Sequence, residues 1–174
     1  MEKIIIYQVF TRLFGNNNTS CVYNGDVQTN GVGKMSDFTM KALENIKKLG
    51  ATHIWYTGLI EHATQTDHTS FGIKKDNPAV VKGKAGSPYA IKDYYDIDPD
   101  LAVSVPNRMK EFENLVQRTH RAGLKFVIDF VPNHVARQYH SDSAPEGVIN
   151  LGEDDNKDCA FSNQNNFYYI PGTQ

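Results

Sequence analysis

Three stretches of the chain carry the apolar pattern of strands and two carry that of helices. Ile4 to Phe10 is crowded with β-branched and aromatic residues and stops ahead of the turn-forming cluster Gly15-Asn16-Asn17-Asn18, so it predicts a strand entering a loop. Ser36 then offers an N-cap, Phe38, Ala42, Ile46 and Leu49 recur at helical spacing, and Gly50 stands where a helix should end. Thr52-His53-Ile54-Trp55-Tyr56 predicts a second strand. A second helix is expected from Pro106 to Ala122: Pro106 suits its first turn, Met109, Phe112, Leu115, Val116 and Thr119 make its inward face, and Gly123 closes it. Leu124 to Val131 is almost uninterrupted apolar sequence, as in a strand buried on both faces.

The order strand, helix, strand, long loop, helix, strand is a parallel α/β pattern. Two architectures fit it, the doubly wound sheet and the (β/α)8 barrel. A doubly wound nucleotide site usually carries a GxGxxG fingerprint after its first strand, and Phe14-Gly15-Asn16-Asn17-Asn18 holds none. About fifty residues separate Tyr56 from Pro106, far above the usual loop length, and long loops at strand ends are where barrels keep their working residues. The fold expected is therefore α/β, a partial (β/α)8 TIM barrel. A complete barrel has eight strands in about 250 residues, and this chain shows three. Residues 1–134 are read as the N-terminal part of the barrel domain. Residues 135–174 lack a helical period and are read as the beginning of a domain inserted after the third strand.

Composition narrows the function classes. A formal charge of −2 gives no electrostatic case for nucleic acid or an anionic membrane, and no run approaches the roughly 20 apolar residues of a membrane span. Cys21 and Cys159 stand far apart and outside any metal-ligand spacing, so two free thiols are expected. Ile4-Ile5-Ile6-Tyr7 is too short for a signal-peptide core, which makes a cytoplasmic protein the expectation. His62, His68 and His140 have no metal spacing and are read as loop residues.

The chemistry-bearing cluster is Asp129-Phe130-Val131-Pro132-Asn133-His134, which puts a carboxylate, an amide and an imidazole at the carboxyl end of the third strand. A lone strand-end Asp capping backbone amides is the plain alternative for Asp129, and a lone hydrogen-bonding imidazole is the plain alternative for His134. Their grouping at a strand end favours a site. Ala122 to His134 resembles the first signature region of the α-amylase family, glycoside hydrolase family thirteen. That region closes a third barrel strand with Asp, three residues, then Asn-His. Ile6-Tyr7-Gln8-Val9-Phe10 is similar to the family's first strand, and Leu49-Gly50-Ala51-Thr52-His53-Ile54-Trp55 to its first helix end and second strand. Tyr89-Ala90-Ile91-Lys92-Asp93-Tyr94-Tyr95 is similar to the segment that carries a cleft tyrosine and an Asp-Tyr pair.

The resemblance implies roles for these positions. Tyr89 would stack on the sugar before the scissile bond, His134 would hydrogen-bond the same sugar, and Asp129 would orient an arginine from the next barrel strand. Asn133 stands where many members offer an oxygen to a structural calcium. Calcium wants six to eight oxygen ligands, and the acidic stretch Glu153 to Asp158 is read as either further ligands or a solvated loop. The nucleophile and the acid–base carboxylate of a retaining glycosidase belong to later signature regions that these 174 residues do not contain. Where family members often have a histidine before the cleft tyrosine, this sequence reads Gly86-Ser87-Pro88-Tyr89. The resemblance thus implies retaining cleavage of α-1,4-glucans or maltooligosaccharides by an intact enzyme, of which this chain is an inactive N-terminal fragment. Transglycosylation and a non-catalytic carbohydrate-binding remnant stay open. Self-association through exposed barrel edges is expected.

Overall fold

The computed structural model describes residues 3–172. Met1 and Glu2, which open the first predicted domain, and Thr173 and Gln174, which close the second, lie outside the described residues.

Three parallel strands, β1 (Ile6–Phe10), β2 (His53–Thr57) and β5 (Lys125–Ile128), form one sheet with β2 in the centre. Between β1 and β2 lie a short capped helix, α1 (Val27–Asn30), and the longer α2 (Met40–Lys48); α3 (Arg108–Arg121) precedes β5. Both longer helices end as their glycines dictate. Gly50 and Gly123 take φ of 92° and 72° and donate their N–H groups back to Lys47 and His120.

Three local expectations need correction, the first being Met109, placed on the inward face of α3 but exposed. Ser36 sits inside a 3-10 turn over Met35–Asp37, and the N-cap of α2 is Thr39, whose hydroxyl accepts from the Ala42 N–H at 3.2 Å. The helix consequently buries Leu43 and Ile46, while Leu49 is exposed. The third strand is parallel as expected but is an edge of the described sheet, half-buried along most of its length, with Phe130 beyond it exposed. β1 is the other edge, and Ile4, Ile5 and Ile6 are exposed there.

Alternation along the strands assigns each side chain to a face. Val9, Ile54 and Tyr56 point to the helix side, where they join Met35, Phe38, Leu43, Ile46, Leu115 and Leu124 in the main core. The Tyr56 hydroxyl meets Thr119 Oγ1 of α3 at 2.6 Å, and burial pushes its phenol up to about 12. Gln8, Trp55, Thr57 and Val127 share the opposite face, because Gln8 pairs with Trp55 and Trp55 with Val127.

The long loop after β2 is not structureless. It holds an antiparallel pair, β3 (Ile60–His62) and β4 (Ile91–Ile97), with register shifts on both sides of Glu61. This second sheet carries buried acidic residues that an apolar-pattern reading cannot see. Among the described residues no helix is long and apolar enough to cross a membrane.

Candidate functional site

Asp129 follows β5 directly, two positions beyond Val127, so its side chain lies on the same face as Trp55. The carboxylate spans the gap to the neighbouring strand. Its Oδ1 accepts from the Trp55 indole N–H, and its Oδ2 accepts from the Gly58 N–H at 3.2 Å. Gly58 has a φ of 80°, and a Cβ there would stand 3.0 Å from Pro88 Cβ. The residue before Tyr89 therefore rests on the glycine that Asp129 holds.

The segment after β5 is fastened to β4. The Tyr94 hydroxyl donates to the carbonyl of Val131, the Ala136 N–H donates to Ile91 O at 2.7 Å, and the His140 N–H donates to Lys92 O at 3.1 Å. Tyr89 lies just before Ile91 and His134 just before Ala136, so one backbone hydrogen bond ties their two segments together. Tyr89 is about half exposed, and His134 is exposed with its Nδ1 3.3 Å from Asn133 Oδ1. Asn133 and His134 open into a cavity of about 640 Å³ that also takes in Asn150, Glu153, Lys157 and the aromatic run Phe167 to Tyr169. Tyr89 does not line that cavity.

Beneath the rim lies a layer of buried charge. His62, read as a loop residue, ends β3 almost wholly buried, with Nδ1 3.2 Å from Asp98 Oδ2. Burial drives the Asp98 carboxyl up, against the pull of the His62 ring. His68 Nε2 meets Asp100 Oδ1 at 2.9 Å, and Thr66 donates to Asp100 Oδ2 at 3.0 Å. Burial opposes ionisation of Asp100 as well, yet the bonds from His68 and Thr66 and the nearby Arg12 hold its carboxyl below the ordinary range.

Glu61 shows the reverse balance. Burial raises it most, Lys92, 3.5 Å away, pulls it down, Asp96, Asp93 and Asp98 push it up, and the balance leaves it pushed up to about 8. A folded-state pKa above the ordinary 4.5 gives stability that is fully present below 4.5 and lost as the pH rises through 8. Thermal scans between pH 5 and 9 should therefore show the melting temperature of the wild type falling. Glu61→Gln, which keeps the shape and removes the ionisation, should flatten that fall. Equal slopes for the two proteins would contradict a protonated Glu61.

Glu61, Asp93 and Asp96 bring carboxylate oxygens within 4.8 Å of one another, which makes them the acidic group among the described residues able to gather round a metal ion. Most of their oxygens are already taken, with Glu61 Oε2 left without a hydrogen-bond partner among the described residues. Asp96 receives Arg108 and the Ser143 hydroxyl, Asp93 accepts from the Tyr95 and Asp142 N–H groups, and Glu61 faces Lys92. Around Asn133 the fit to calcium is no better. Its side-chain oxygen faces His134, and Glu153 Oε2 accepts from Asn150. Neither arrangement offers six to eight free oxygens. The acidic stretch instead folds the tail, through Asp155.

Sequence reasoning missed Trp55, Gly58 and Tyr94, which fix the rim. For Trp55 the available signal was its place in a predicted strand beside the one that ends at Asp129. Cys21 and Cys159 are free, as expected.

The family model for the alpha amylase catalytic domain matches residues 8–169. Trehalose-6-phosphate hydrolase of Bacillus subtilis is 28% identical over 138 residues, covering 79% of this chain and 18% of that protein. Cyclomaltodextrin glucanotransferase of Bacillus licheniformis is 26% identical over 174 residues, covering 95% of this chain and 22% of that protein. The amino acid transporter heavy chain SLC3A1 of Mus musculus is 31% identical over 134 residues, covering 77% of this chain and 14% of that protein. Among solved structures, an alpha-amylase from Lactobacillus plantarum superposes with a TM-score of 0.52 at 27% identity, covering 78% of this chain and 24% of that one. The chain thus spans about a fifth of the length of these relatives.

Proposed function

The chain belongs to the family of the alpha amylase catalytic domain, and from that premise we propose that it forms the sugar-positioning part of a glycoside hydrolase acting on α-1,4-glucans and maltooligosaccharides with retention. In this reading β1, β2 and β5 are the first three strands of a (β/α)8 barrel, and residues 135–174 begin the domain inserted after the third. One observation carries it. Asp129 leaves the end of a parallel strand bound to Trp55 of its neighbour and to Gly58 just past it, and Asn133 and His134, four and five positions on, line an open cavity. Tyr89 and His134 would contact the sugar, with Asp129 supporting them. The nucleophile and the acid–base carboxylate come from outside these 174 residues, and the bare edges of β1 and β5 are where copies of the chain would associate.

Reducing-sugar release from maltoheptaose tests this. The product of the complete reading frame should turn over, and the 174-residue chain should not. His134→Ala in the complete product should lower kcat/KM by about a hundredfold, the usual cost of one lost transition-state hydrogen bond. Turnover by the 174-residue chain would refute the division of labour.

Two further readings have a specific observation behind them. The similarity to a glucanotransferase over 95% of the chain favours transglycosylation, in which a sugar hydroxyl replaces water. The similarity to a transporter heavy chain favours a non-catalytic role. Product analysis would distinguish the first, and maltoheptaose binding without turnover by the complete product the second.

A further inference from the structure

The tail beyond the cavity is built to present one aromatic ring. Along residues 166–169 the chain alternates inward and outward, with Phe167 and Tyr169 half-buried and Tyr168 77% exposed. The inward residues are well anchored. The Phe167 ring lies on Gly152, where a Cβ would stand 2.6 Å from Cε2. The Tyr169 hydroxyl donates to Asp155 Oδ2 at 2.8 Å, and the same carboxylate accepts from the N–H groups of Asn166 and Phe167 at 2.8 and 2.9 Å. Slight burial disfavours the charged Asp155, but these three bonds outweigh it and hold the carboxyl below its ordinary range.

With both neighbours turned inward, Tyr168 has to point out. Phe161 stacks on it, with ring centroids 4.6 Å apart and planes 23° from parallel, and is itself 76% exposed. Two large rings that pack chiefly on each other while this exposed gain little from burial. Tyr168 lines the same cavity as His134, and so do Asn150, Glu153 and Lys157.

We infer that Tyr168, backed by Phe161, is a stacking platform for a glucosyl ring of an α-glucan, extending the cleft outward from His134. The inference rests on the α-glucan reading above. A pyranose offers an apolar face of C–H bonds, which suits the electron-rich face of a phenol ring, and a rim of hydroxyls, which suits convergent polar groups such as Asn150, Glu153 and Lys157.

Calorimetric titration of the complete product with maltoheptaose provides the test. Tyr168→Ala should weaken binding about tenfold and Phe161→Ala about threefold, the scale of one aromatic contact. Tyr168→Phe, which keeps the ring, should bind like the wild type. Wild-type affinity in Tyr168→Ala and Phe161→Ala would overturn the platform and leave the α-glucan reading standing. Failure of the wild type itself to bind any α-glucan would sink that reading and the platform with it. Unchanged sugar binding together with loss of concentration-dependent sedimentation in Tyr168→Ala would overturn the platform in favour of a contact between copies.

Discussion

Arg108→Ala is expected to cost about 3–5 kcal/mol of folding stability, the range for stripping one partner from a buried ion pair. Asp96 is almost wholly buried, and Arg108 Nε donates to its two oxygens at 2.8 and 2.9 Å while the second arm of the guanidinium reaches Oδ2. Burial would lower the guanidinium pKa, but Asp96, Glu61 and Asp93 outweigh it and raise it. Without that cation the Asp96 carboxylate stays in place beside Asp93 and Glu61, keeping only neutral donors, the Ser143 hydroxyl and the Ile97 N–H. Arg108→Lys should recover part of the loss, since an ammonium supplies the charge without the planar fork. Urea denaturation reads the difference. A loss below about 1 kcal/mol would mean that the pair behaves like an exposed one.

Phe38→Ala should cost a similar amount, about 3–5 kcal/mol, through a packing route. The ring has no exposed surface. It stacks on Phe14, with centroids 4.2 Å apart and planes 8° from parallel, and meets Tyr56 edge-on at 4.9 Å. Collapse into the gap is resisted because Arg118 of α3 grips the backbone at Phe38 and one turn before it, donating to Phe38 O at 3.1 Å and Met35 O at 2.7 Å. Phe38→Leu should cost clearly less. If Phe38→Ala lost under about 1.5 kcal/mol in the same denaturation experiment, the site would be able to close after all.

Periodicity made the main sheet legible. Ile4 to Phe10, Thr52 to Tyr56 and Leu124 to Val131 each contain an observed parallel strand or nearly all of one, and Gly50 and Gly123 end the helices as glycines do. It failed where polar residues are buried. β3 and β4 carry Glu61, His62, Lys92, Asp93 and Asp96 inside the protein, so no apolar stripe announces them. His62 looked like a loop histidine because its partner, Asp98, is thirty-six positions away and reaches it only through tertiary folding. Ser36 and Thr39 are equally good caps by composition, and the 3-10 turn at Met35–Asp37 selects the second. At the site, Asp129, Asn133 and His134 stood out through residue type and position. The hands that hold them did not, because an indole, a glycine N–H and a tyrosine hydroxyl have many ordinary uses.

The double attachment of Asp129 bears on how a partner would meet it. Each carboxylate oxygen accepts one bond from the adjacent strand and keeps a second lone pair. A cationic side chain brought up to it would find an acceptor whose rotamer is already chosen, so the entropy of aligning it has been met during folding. What is left to meet at the moment of docking is the desolvation of the pair and the ordering of the incoming side chain. It would transmit any disturbance of Trp55 or Gly58 to the incoming group as a change of angle more than as a loss of charge.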